Sequence, residues 1–189
     1  MTFLKSIAVG AMMLLTGFAA QAFANPNEIT IKLKDGPVVI QLMPDVAPQH
    51  VKRIKELAAK GEYDNVAFHR VMEGFMAQTG DVQYGNMKKD FQPDMAGMGG
   101  SSLPNLPAEF SKVPFERGVV GMARSQDPDS ANSQFFIMFA PGDFLNGQYT
   151  VVGKVVSGME FVDKIKRGDN NDNGKVTDPD RMIKVTVGK

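Results

Sequence analysis

Glu28-Ile29-Thr30-Ile31-Lys32-Leu33-Lys34-Asp35-Gly36-Pro37-Val38-Val39-Ile40-Gln41-Leu42 carries the pattern that sets the fold class. Ile29, Ile31 and Leu33 alternate with Thr30 and Lys32, the period of two expected of a strand with one buried face. Lys34-Asp35-Gly36-Pro37 interrupts the alternation and Val38 to Leu42 resumes it as a second strand, so the domain opens with an antiparallel β-hairpin. Beyond Pro44 and Pro48 the period lengthens: Val51, Ile54, Leu57 and Ala58 recur at three and four, and Gly61 stands where a helix-ending glycine belongs. Short apolar stretches follow at 66–72, 75–78, 119–123, 135–139 and 150–156, each bounded by glycine, proline, asparagine or aspartate. A second helical pattern covers Met159 to Ile165, and a last strand covers Met182 to Val187. Many short strands with only two helices predict a mostly-β chain closed or nearly closed into a barrel. Residues 81–114, rich in glycine, proline and methionine, show no period and read as a functional or mobile loop.

The chain has 189 residues, of which 21 are basic and 21 acidic, so no charge imbalance points to nucleic acid or an anionic membrane. It contains no cysteine, which excludes disulfides, thiolate catalysis and cysteine zinc sites together. Lys5, the apolar run from Ile7 to Ala20 and the small-residue pattern Ala22-Phe23-Ala24 follow the order of a secretory signal peptide. Residues 1–24 are therefore expected to be cleaved, leaving a domain of residues 25–189 outside the cytoplasm and free of the membrane; an uncleaved anchor is the alternative.

Several chemistries lack their motif. Only His50 and His69 are present and neither belongs to a His-Glu-x-x-His pair. Gly142 and Gly147 have phosphate-loop spacing, but Gln148-Tyr149 follows where lysine and serine or threonine are required. There is no Gly-x-Ser-x-Gly elbow and no dinucleotide fingerprint, so no cofactor is expected. Asp169 to Asp180 matches a twelve-residue calcium loop in part, with glycine at position 6, yet an Asp/Asn/Gly run also describes a tight surface turn. The methionines from 87 to 98 have no histidine among them and read as loop, and His50 reads as a solvated helix residue.

What remains is Phe68-His69-Arg70-Val71-Met72-Glu73-Gly74-Phe75-Met76-Ala77-Gln78-Thr79-Gly80-Asp81, then Gly118 to Arg124, Ser130-Ala131-Asn132-Ser133-Gln134-Phe135-Phe136-Ile137, Phe144-Leu145-Asn146-Gly147 and Val152-Gly153-Lys154-Val155. In this order and spacing the sequence resembles the cyclophilin family of peptidyl-prolyl cis/trans isomerases. The resemblance implies an eight-stranded antiparallel β-barrel capped by two α-helices. It also implies a periplasmic bacterial enzyme, monomeric, that takes proline-containing peptides and unfolded exported proteins. By the same resemblance Phe75, Met76, Phe136 and Leu145 form a proline pocket, Gln78 holds the catalytic arginine, and Ala123, Arg124 and Gln134 line or anchor the peptide groove. Phe144 stands where many members carry tryptophan, so weak or no cyclosporin binding is expected, and Tyr149 and Arg124 replace a histidine and an asparagine.

The residues support the same chemistry independently. A peptide bond resists rotation by about 18–20 kcal/mol because the nitrogen lone pair is shared with the carbonyl. A fixed guanidinium that donates to the prolyl nitrogen favours the twisted amide, in which that lone pair is free to accept. Arg70 is the candidate, and it needs neither a nucleophile nor a metal. On strands, Gln78 would share the face of Met76, and Arg70 that of Phe68 and Met72. Without the motif the aromatic and aliphatic candidates would read as core, Arg70 as an ion-pair partner and His69 as structural. The competing function is a peptide-binding chaperone or adhesion module with little turnover.

Overall fold

The computed structural model describes residues 25–188; the expected signal peptide lies outside them. Strands β1 (Glu28–Lys32) and β2 (Pro37–Leu42) form the opening hairpin, with Ile31 opposite Val38. Helix α1 (Pro48–Ala59) follows, then β3 (Val66–Ala67), β4 (Arg70–Met72), β5 (Met76–Thr79), β6 (Val119–Met122), β7 (Phe135–Met138) and β8 (Val151–Ser157). The chain ends with α2 (Met159–Val162), β9 (Arg181–Met182) and β10 (Lys184–Val187). Eight strands make one antiparallel sheet in the order β10-β1-β2-β8-β6-β7-β5-β4.

This sheet is curled rather than closed into the expected barrel, because β4 and β10 at its two ends are not paired with each other among the described residues. The predicted strands 66–72 and 182–187 are each broken, at Phe68-His69 and at Ile183. The upstream pieces, β3 and β9, pair in a separate ribbon that bridges the gap, with Phe68 N–H donating to the Asp180 carbonyl at 2.8 Å. One main core fills the inner face, built from Ile29, Ile31, Val38, Ile40, Val120, Phe135 and Ile137 of the sheet with Val51, Ile54 and Leu57 of α1. Burying each such side chain contributes about 1.5–3 kcal/mol.

Helix α1 begins with Pro48 and ends as expected at Gly61 (φ 72°): the Glu62 N–H reaches the Leu57 carbonyl and the Gly61 N–H that of Ala58. The start of α1 has no local side-chain cap. Glu109 serves instead, accepting from the backbone N–H groups of Gln49 (3.2 Å) and His50 (3.1 Å) and from His50 Nδ1 (2.6 Å). His50 is accordingly fully buried, which corrects its reading as a solvated residue; a helix N-terminus attracts a carboxylate, and the ring supplies a third donor. Helix α2 is a single turn, shorter than the predicted 159–165, because Lys164 and Ile165 bond three residues back and tighten the chain; Val162 and Ile165 still enter the core. It lies against β2 and is too short to close an end of the sheet.

Candidate active site

Strand register carries the site across the outer face of the sheet. Arg70 pairs with Gln78 between β4 and β5, Gln78 with Phe136 between β5 and β7, and Phe136 with Gly121 between β7 and β6. Four strands thus deliver one row of neighbours to the same side. Met72, Met76 and Met138 form the next row. Phe68 does not share this face with Arg70, because the chain turns between β3 and β4 and sends it into the main core beside Val71. Gly121 is needed in the first row: a Cβ there would lie 2.5 Å from Phe136 Cζ and 2.6 Å from Phe115 Cε1. With no side chain in the way, Phe136 stacks on Phe115 at 5.7 Å between ring centroids.

Around these rows opens a cavity of about 420 Å³, walled by Arg70, Phe75, Met76, Gln78, Ala123, Arg124, Phe136, Phe144, Leu145, Gln148 and Tyr149. Met76, Phe136 and Leu145 belong to a second apolar cluster beneath it and are buried, whereas Phe144 stands at the rim, 65% exposed and 5.4 Å from the Phe75 ring. Gln134 lines an adjoining compartment of about 250 Å³ that shares Gln78, Ala123 and Arg124 with the first. Sequence reasoning missed Gln148 in the wall of the first cavity, and Ser125, Ser130, Asn132 and the 97–99 stretch in that of the second; Gln148 sits in a turn, where no periodicity marks it, and its carbonyl accepts from Arg124. Arg124 also donates to the Ser125 and Gln126 carbonyls and lies 4.4 Å over the Tyr149 ring, tying two wall loops together.

The Arg70 guanidinium is held from several sides. Nε donates to the Asn173 carbonyl at 2.9 Å, Nη2 to Asn173 Oδ1 at 3.0 Å and Met72 Sδ at 3.1 Å, and Nη1 to Gln78 Oε1 at 3.2 Å. Among the described residues the second N–H of Nη1 has only the Met76 sulfur, 4.0 Å away. Half-burial lowers the Arg70 pKa, opposed in part by Tyr149, but a guanidinium remains cationic at neutral pH. No carboxylate pairs with it among the described residues, so the ion-pair reading of Arg70 does not apply.

The orientation of Gln78 follows from its neighbours. Gln134 Nε2 donates to the Gly97 and Gly99 carbonyls (2.9 and 2.8 Å), which turns Gln134 Oε1 towards Gln78 Nε2 at 3.0 Å and leaves Gln78 Oε1 facing Arg70. The glycines are themselves held by Asp81. Its fully buried carboxylate accepts from the backbone N–H groups of Gly97 and Gly99 through Oδ2 and of Gln83 and Tyr84 through Oδ1, all at 2.8–3.0 Å. The aperiodic stretch after Asp81 is therefore pinned at its glycines.

His69 packs beneath Gly97, buried, and among the described residues neither ring nitrogen has a hydrogen-bond partner; the Ala67 carbonyl and the Gln134 amide lie near without bonding geometry. Burial holds its pKa down at about 4, against a smaller upward pull from Asp81. The unfolded chain takes up a proton near pH 6.5 that the folded chain refuses, so this contribution is intact above pH 6.5 and is lost as pH falls towards 4, about 3 kcal/mol in all. Urea unfolding of His69→Gln should show a flatter decline of stability across that window than the parent protein; parallel profiles would contradict this assignment.

The partial calcium match at 169–180 folds as a turn: Asp169 accepts from the Asn171 N–H at 2.8 Å, and Asp169 N–H meets the Lys175 carbonyl. Among the described residues no group of three histidine, cysteine or acidic side chains gathers there or elsewhere.

Comparison with known proteins bears on the family and the fold. The sequence model of the family described as "Cyclophilin type peptidyl-prolyl cis-trans isomerase/CLD" matches residues 28–187. The chain belongs to the cyclophilin-type isomerases. This cyclophilin is 60% identical to a "Probable peptidyl-prolyl cis-trans isomerase" of Brucella suis over 99% of its own length and 97% of the relative's. It is 37% identical to peptidyl-prolyl cis-trans isomerase B of Escherichia coli, covering 73% of this chain and 83% of that one. Among solved structures, a Cryptosporidium parvum cyclophilin-type isomerase crystallised in the presence of the dipeptide Ala-Pro superposes with a TM-score of 0.72 at 26% identity, over 86% of this chain and 99% of the other. The cyclophilin is accordingly a peptidyl-prolyl cis-trans isomerase with a curled eight-stranded sheet.

Proposed function

We propose that Arg70 drives the isomerisation by donating to the prolyl nitrogen of a peptide whose proline ring sits on Met76, Phe136 and Leu145. One observation supports this most: the Nη1 N–H that faces the cavity has no partner better than the Met76 sulfur at 4.0 Å, while the rest of the guanidinium is anchored. A weak acceptor is readily displaced by the lone pair of a twisted amide, and the anchored remainder means that little reorganisation is needed as the transition state forms. The planar ground state offers no such lone pair, so the bond strengthens during rotation, which is the condition for acceleration. With the signal-like residues 1–24, the setting is the periplasm and the clients are unfolded exported chains, taken up by a monomer. Phe144 offers no indole N–H, and cyclosporin binding is weak.

Among the described residues no carboxylate lines either compartment, and the two charged wall residues, Arg70 and Arg124, are cationic. The groove therefore favours peptides with acidic flanks over basic ones. Exchange NMR on Ala-Pro peptides should show strong acceleration of the cis/trans exchange by the wild-type protein. Replacing a flanking lysine by glutamate should raise kcat/KM by about two- to fivefold at low salt, the difference shrinking at high salt. No acceleration would leave only the peptide-binding alternative, and an unchanged ratio at low salt would remove the charge preference.

A further inference from the structure

The turn that matches a calcium loop in part reaches the Arg70 guanidinium through Asn173. Strand β4 is an end strand of the sheet, and its outer edge would otherwise be bare. Residues 168–176 cover it: Gly168 N–H donates to the Val71 carbonyl (2.9 Å), Val71 N–H to that of Gly174 (2.8 Å) and Val176 N–H to that of His69 (3.1 Å). Within the turn Asn173 adopts the left-handed conformation (φ 50°), which asparagine tolerates better than most residues. Gly174 follows at φ 78°, where a Cβ would lie 2.5 Å from Met72 Cγ, so the turn presses directly on the strand that carries Arg70.

This placement brings both the carbonyl and the side-chain oxygen of Asn173 to Arg70, at 2.9 and 3.0 Å. The two contacts engage Nε and Nη2, one edge of the planar guanidinium, and the Gln78 contact engages Nη1. Three points on a rigid plane define its direction. Both acceptors on Asn173 are neutral, so they orient the cation without offsetting its charge, as an aspartate in the same place would. We propose that Asn173 is a positioning residue for the isomerase: it acts through Arg70, aiming the Nη1 donor at the cavity, and touches no substrate. The inference rests on the assignment of Arg70 to the prolyl nitrogen.

Asn173→Gly tests it, because glycine keeps the left-handed turn and the main-chain acceptor and removes only Oδ1. Exchange NMR should show kcat/KM for an Ala-Pro peptide reduced about fivefold, carried by kcat with KM nearly constant. In an Arg70→Ala background the same change should cost nothing measurable, since there is no guanidinium left to aim. Side-chain relaxation of the Arg70 Nε–H, a signal identified by its loss in Arg70→Ala, should show increased mobility in Asn173→Gly. An equal loss in both backgrounds, or full activity with a rigid Nε–H, would overturn the proposal. Full activity of Arg70→Ala alone would overturn the catalytic assignment together with it, whereas an impaired Arg70→Ala with additive losses would sink only the role of Asn173.

Discussion

Arg70→Ala is expected to lower kcat/KM on an Ala-Pro peptide by at least about tenfold, and by up to about 10²–10³-fold if the donor is worth as much as one in an oxyanion hole. Bringing a process of tens of seconds into milliseconds requires the barrier to fall by about 5–7 kcal/mol. On the proposed mechanism one preorganised donor would supply about 3–4 of these, leaving the remainder to the fit of the twisted proline in the apolar cavity. The substitution should therefore hurt turnover far more than binding. It should barely affect stability, because the acceptors that it strips, Gln78 Oε1 and the two oxygens of Asn173, border an open cavity or solvent and can turn to water. Arg70→Lys is not expected to rescue, since one ammonium cannot serve Asn173 and Gln78 and still present a donor to the cavity. Exchange NMR for turnover and peptide titration for binding separate the outcomes; a fully active alanine variant would remove the mechanism, and equal losses of binding and turnover would show that Arg70 is a general groove contact.

The parts of this molecule that sequence reasoning reaches are those that depend on local period. Alternation placed Met76 and Gln78 on one face, and the register then put Gln78 between Arg70 and Phe136. The parts it misses are held by partners distant in the chain. Glu109 caps a helix that starts 61 positions earlier, at Pro48, so His50 looks like an ordinary exposed position until that carboxylate is in place. Asn173 lies 103 residues from Arg70, and its Asp/Asn/Gly surroundings advertise a turn without saying what the turn leans on. The break in the strand at Phe68-His69 is also invisible to periodicity, because an unbroken β-strand and two short ones share the same apolar composition. What decides between them is the pairing of β3 with β9, a contact between chain segments more than a hundred residues apart.

Asp81 offers the second large effect. Asp81→Ala should cost about 3–4 kcal/mol of stability, because four backbone N–H groups lose their acceptor, a fully buried carboxylate; each orphan that stays buried costs about 1–3 kcal/mol, and water reaching the partly buried donors keeps the total below the sum. Asp81→Asn is the sharper experiment. An amide has one accepting oxygen, so it can serve the Gln83 and Tyr84 pair or the Gly97 and Gly99 pair, and its NH₂ must face the donors of the other. The local pair is two and three residues away and closes a short turn, so it should keep the oxygen, and the remote glycines should come loose. Those glycines orient Gln134, which orients Gln78, which holds Nη1 of Arg70. Urea unfolding should therefore show Asp81→Asn destabilised by about 2 kcal/mol, and kcat/KM measured well below its melting point should fall several-fold. Faster amide exchange at Gly97 and Gly99, with Gln83 and Tyr84 still protected, would be the signature. If stability falls while turnover in the remaining folded protein is unchanged, the glycine loop does not govern Arg70, and the relay from Asp81 to the guanidinium is broken somewhere along its length.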